Sequence, residues 1–114
     1  MPQFSGQNDP VFIYSKKHLA ADTSPTISVP QNARVHQVAI DALDGSAGTA
    51  AITILPVGMK NELPLFEADG STPVVLEMIG GGARSDIRGS LQALTATLAG
   101  FDGTEYKLSI ASYF

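Results

Sequence analysis

The feature that most constrains this chain is a two-residue rhythm. Between Val35 and Leu43, the residues His36, Val38, Ile40 and Ala42 alternate with Gln37 and Asp41. Successive side chains of a strand point to opposite faces, so this segment reads as a strand with one buried face. The rhythm returns from Thr49 to Val57, with Ala50, Ile52 and Ile54 inward and Thr49 and Thr53 outward. It returns again from Pro73 to Ile79, where Val74, Leu76 and Met78 oppose Glu77. In the last run, Thr104 to Phe114, it sets Tyr106, Leu108, Ile110 and Phe114 inward, with Lys107 and Ser109 outward. A half-buried strand needs a cover, and a second sheet about 10 Å away supplies one. The expected fold is all-β: an antiparallel two-sheet β-sandwich, jelly-roll or immunoglobulin-like, of about eight short strands.

Turn residues divide the rest of the chain. Val11–Tyr14 is the first short run. Thr26–Val29 stands between Pro25 and Pro30, and flanking prolines mark an edge strand because Pro cannot donate to a ladder. Asp44-Gly45-Ser46-Ala47-Gly48 separates the third and fourth runs, which makes them the strongest hairpin candidate. Leu63–Phe66 is a weaker strand, and Asp69-Gly70-Ser71 and Gly80-Gly81-Gly82 are loops. Ile87 to Leu98 is the longest run. Leu91 and Leu94 cannot share a face of a regular strand, so a bulge or bend is expected near Ala93. Gly100-Phe101-Asp102-Gly103 turns into the last strand, and Asp102-Gly103 is itself a hairpin signal. Ser15 to Ala21 admits a single helical turn. Residues 1–9 are polar and read as an extended N-terminal arm, leaving one domain over 10–114.

Composition narrows the function. The net charge is -4 and the basic residues are scattered, which argues against nucleic acid as the main partner. Lys16-Lys17 is the only adjacent basic pair and reads as a solvated turn. The absence of cysteine removes disulfides and thiolate metal sites. The start, Met1 to Gly6, lacks the basic and apolar regions of a signal peptide. No apolar run reaches the roughly 20 residues of a membrane span. The expected setting is the cytoplasm of synthesis or a particle assembled there. Only 16% of the chain is charged, which leaves neutral surface for contact with other proteins.

No residue set has the spacing of a catalytic, cofactor or metal site. His36 falls in the apolar register of its strand and reads as a core or interface histidine satisfied by a backbone group. Asp41 and Asp44 flank a turn without the Ca²⁺-loop pattern. Gly80-Gly81-Gly82-Ala83-Arg84 lacks the Gly-Lys-Ser/Thr of a phosphate loop. No Gly-x-Ser-x-Gly is present. The chain is therefore expected to bind rather than to catalyse. Arg84 and Arg88, beside the glycine loop, are candidate interface residues because the planar guanidinium holds carboxylates at two points. Phe4 on the arm, and Tyr113 and Phe114 in the last strand, complete the candidate contact set.

One stretch carries a resemblance. Asp86-Ile87-Arg88-Gly89-Ser90-Leu91-Gln92-Ala93-Leu94-Thr95-Ala96-Thr97-Leu98, then Gly100, Asp102-Gly103 and Tyr106-Lys107-Leu108-Ser109-Ile110, resembles the end of small β-sandwich virion proteins of tailed bacteriophages. In those proteins a strand with spaced leucines and threonines leads through a Gly turn into a closing strand that contains Tyr. The likeness covers the last third of the chain and reaches the middle by pattern only. It implies a capsid decoration (cement) protein that binds the major capsid protein, forms a homo-oligomer with a trimer favoured, and resides in the virion. The alternatives are a tail, adaptor or fibre-associated component, or a carbohydrate-binding sandwich module. The last usually displays a Trp or Tyr platform, and this chain has no Trp.

Overall fold

The computed structural model describes residues 9–44, 47–78 and 83–114, with the backbone alone at 83 and 84. These residues form nine strands in chain order: β1 (Phe12–Leu19), β2 (Thr26–Ser28), β3 (Val35–Ala42), β4 (Thr49–Pro56), β5 (Leu63–Pro64), β6 (Val75–Glu77), β7 (Ala83–Arg88), β8 (Leu91–Ala99) and β9 (Glu105–Tyr113). Among the described residues there is no helix. Two antiparallel sheets form a sandwich. The four-stranded sheet has the order β1-β9-β3-β7, and the five-stranded sheet the order β2-β8-β4-β5, with β6 also on β4. Consecutive strands change sheet at every step except β4 to β5 to β6. With β5 and β6 sharing one strand position, this winding is a jelly roll. The immunoglobulin-like alternative, which keeps several sequential strands side by side in one sheet, is set aside.

The winding corrects several expectations. β3 and β4 are not a hairpin, because they lie in opposite sheets. The same holds for β8 and β9 around Asp102-Gly103. A sheet-crossing turn uses the same Gly and Asp residues as a hairpin, and each strand keeps one buried face in either case. The long run from Ile87 is two strands. Gly89 breaks it at φ 123°, a conformation favouring glycine, and sends the chain into the other sheet. The expected bulge is present: Leu55 pairs Ala93 but Pro56 pairs Leu91, so Gln92 is extra. That residue lets Leu91 and Leu94 both reach the core. Ser15–Leu19 is strand and not a helical turn, and Lys16-Lys17 lies within β1. Phe114 is exposed rather than inward. The Gly80–Gly82 loop and residues 1–8 of the arm lie outside the described residues.

Each sheet presents its period-two face to the middle. Val38, Ile40, Tyr106, Leu108 and Ile110 from one sheet meet Ala50, Ile52, Leu91, Leu94 and Ala96 from the other. The two crossing loops are tied to each other. The Asp44 carboxylate accepts the Thr104 N–H at 2.9 Å, and the Asp102 carboxylate accepts the Ala47 N–H at 3.1 Å. Gly103 permits this closeness, since a Cβ there would stand 2.6 Å from both Asp44 Oδ1 and Phe101 Cζ. The carboxylate cannot withdraw without releasing Thr104. Gly103→Ala is expected to cost about 1–3 kcal/mol, the usual penalty for overpacking, read from urea unfolding midpoints. On the β5–β6 connection, the Thr72 hydroxyl and the Thr72 and Ser71 N–H groups all donate to Asp69, holding its carboxyl down at about 2.

Candidate functional site

Two histidine sites could carry chemistry. His36 is fully buried on β3. Its Nδ1 is 2.8 Å from Ser112 Oγ and its Nε2 is 3.1 Å from the Gly89 carbonyl. Both ring nitrogens are therefore engaged, one of them with backbone as expected, and the ring faces no open cleft. It pins the β7–β8 crossing to β3 and β9. Burial lowers its pKa, and the Gly89 hydrogen bond opposes that only in part. The unfolded chain thus takes up a proton more readily than the folded one, and stability falls as pH drops below about 6.5 toward the lowered value. We expect the urea midpoint to decline over that window and the decline to flatten in His36→Gln, as checked by unfolding curves at a series of pH values.

The second histidine belongs to a chain of side chains that sequence spacing did not reveal. Tyr14 Oη is 2.8 Å from His18 Nε2, and His18 Nδ1 is 2.7 Å from Asp22 Oδ2. Tyr14 and His18 share a face because β1 continues past Ser15. The spacing Tyr14-x₃-His18-x₃-Asp22 is in the sequence, but ending the first strand at Tyr14 separated His18 from it. A tyrosine nucleophile or base needs a lowered pKa. Burial raises that of Tyr14, and the Asp22 charge adds to the rise. The buried Tyr106 hydroxyl donates to the Asp22 backbone carbonyl, and its ring stacks on His18 at 5.3 Å. The arrangement acts as a clamp that ties β1 to the segment leading into β2. Among the described residues, no three His, Asp or Glu side chains group as metal ligands.

Two of the candidate contact residues, Arg88 and Tyr113, lie on the outer face of the four-stranded sheet. Strand register sets side chains in rows across it. Tyr113, Val35 and Arg88 form one row; Ile13, Ala111, Gln37 and Asp86 form the next; Ser15, Ser109, Ala39 and Arg84 share the third register position; Lys17, Lys107 and Asp41 follow. Tyr113 of β9 is thus placed on one sheet with Arg84 and Arg88 of β7, distant from it in sequence. Tyr113 Oη lies 3.3 Å from Gln37 Oε1. Phe114 is 67% exposed beyond the end of β9, and Phe4 lies outside the described residues. The middle of the face is floored by small side chains, Ser15, Ala39, Ser109 and Ala111, and holds a shallow groove of about 650 Å³. Ile13 on its rim is 67% exposed. Sequence reasoning missed Ile13 and the small-residue floor, because outward positions of a single strand carry no mark of what neighbouring strands place beside them.

The fold is shared with a solved protein of prophage origin. SPBc2 prophage-derived protein YomS superposes with a TM-score of 0.54 at 11% identity, over 90% of this chain and 96% of that one. A protein of Bacillus endospore appendages, described as a family of disulfide-linked pili, superposes with a TM-score of 0.48 at 14% identity, over 90% of this chain and 86% of that one. No family model and no curated protein matches the sequence. At 11% identity the likeness to YomS shows a shared fold and nothing finer.

Proposed function

We propose that this chain is a structural protein of a phage virion, and specifically a capsid decoration (cement) protein. In this reading it binds the major capsid protein through the outer face of the four-stranded sheet and stabilises the head. The observation that carries the reading is that face: a groove floored by small side chains, with an exposed isoleucine and Asp86 in its lining and Arg88 in the neighbouring row. Such a surface can approach a partner closely, because small side chains lose little conformational entropy on contact. The prophage origin of a protein with the same fold supports the phage setting. This chain carries no cysteine, so assembly through disulfides is closed to it.

The proposed role is binding without catalysis, consistent with histidines committed to structural hydrogen bonds. Many copies on a symmetric lattice convert weak single contacts into firm attachment. A homo-oligomer, with a trimer at a local three-fold point, suits such a lattice. The test is to mix purified protein with undecorated capsids. Saturable binding and a raised capsid melting temperature are expected. Failure to bind would overturn the decoration role, and labelling that places the chain on tails would move it to the tail.

A further inference from the structure

Beyond the outer face, the edges of the two sheets differ in how they are protected. β1 is an edge strand, and Lys16 holds an inward register position there, its ammonium 5.6 Å from the Tyr14 ring centre. Inward-pointing charge is a known bar to strand addition. β2 and β5 are two or three residues long, and prolines lie within or beside them. β7 is neither short nor interrupted by proline, and its charged residues, Arg84, Asp86 and Arg88, hold outward register positions rather than inward ones. It is a six-residue edge strand without proline or lysine. Among the described residues its backbone ladder is with β3 alone.

The far side of β7 opens onto a cleft of about 700 Å³ between it and the β5–β6 segment. Phe66 and Val75 line that cleft and are 44% and 48% exposed. Its charged lining is of one sign: Glu67, Glu77 and Asp86. An unpaired strand edge supplies backbone donors and acceptors, an apolar wall supplies contact for alternate side chains, and three carboxylates favour cations on the others. We propose that β7 and this cleft take an extended segment of a partner protein, one in which apolar residues alternate with lysine or arginine, added as a further strand beside β7. The chain's own first ten residues include Asp9 and no Lys or Arg, so a second copy's arm does not match the cleft's charge.

The probe is a synthetic peptide of about eight residues, enough for one strand, alternating valine with lysine. Its counterpart carries glutamate in place of lysine. Binding is followed by fluorescence anisotropy, with hydrogen exchange read at Ser85–Arg88. The lysine peptide is expected to bind and to slow exchange at those amides. The glutamate peptide is expected to bind about tenfold more weakly, and added salt should narrow the gap. The double variant Glu67→Lys/Glu77→Lys should invert the preference. Neither position lies on the outer face proposed to meet the capsid, and Asp86, which borders both grooves, is left intact. Inversion of the peptide preference with capsid binding retained therefore separates the two sites. Equal affinity for both peptides, or unchanged exchange in β7, overturns the assignment. So does concentration-dependent self-association that the double variant abolishes, because it would give the cleft to a second copy.

Discussion

Replacing Tyr106 by alanine is expected to remove about 3–5 kcal/mol of stability, the range for deleting a large aromatic side chain from a core. The ring is fully buried, with Phe101 edge-on at 5.8 Å on one side and His18 stacked on another. Its hydroxyl reaches the Asp22 carbonyl. Truncation therefore opens a cavity, orphans that carbonyl and removes the support under the His18–Asp22 pair. Domains of this size are stable by only about 5–15 kcal/mol, so the variant should sit near the edge of folding at ordinary temperature. Tyr106→Phe keeps the ring and should lose about 1 kcal/mol, the typical worth of one hydrogen bond. Burial, with the Asp22 charge adding to it, pushes the Tyr106 hydroxyl up to about 12, so it remains a donor throughout the usual pH range. Urea unfolding of both variants is the measurement. A Tyr106→Ala cost below about 1 kcal/mol would show that the β1 clamp does not depend on this ring.

The second large effect concerns the docking face. Ala111→Glu is expected to weaken capsid association by about a hundredfold or more, because a carboxylate would be desolvated without a partner. Ala111 stands in one row with Ile13 and Gln37, on the groove floor. Its side chain faces away from the core, so the folded protein should change by no more than about 0.5 kcal/mol, as at ordinary surface positions. Capsid co-sedimentation, with thermal unfolding of the free protein as control, checks both halves. Wild-type binding by a folded Ala111→Glu variant would exclude this face from the contact.

Much of the architecture was legible along the chain. The alternation in β3, β4 and β9 marked which residues go inward, and the spacing of Leu91 and Leu94 announced the bulge at Gln92. Pro25 and Pro30 marked β2 as an edge. His36 could be read as a satisfied core histidine because a polar residue in an apolar register must find hydrogen-bond partners. β1 was less legible. Its inward register runs Phe12, Tyr14, Lys16, His18, and the lysine that guards the edge also breaks the apolar pattern, so the strand seemed to stop early.

Local chemistry by itself determined that the chain makes strands and which side of most of them is dry, since alternation and turn residues act within a few positions. Pairing was decided only in three dimensions. Asp-Gly turns serve a hairpin and a crossing between sheets equally well, and the choice depends on contacts between residues far apart in the chain. The jelly-roll winding, the Tyr14–His18–Asp22 clamp and the small-residue floor that joins β1, β9 and β3 all arise from that choice, because each needs strands from distant parts of the sequence to lie side by side.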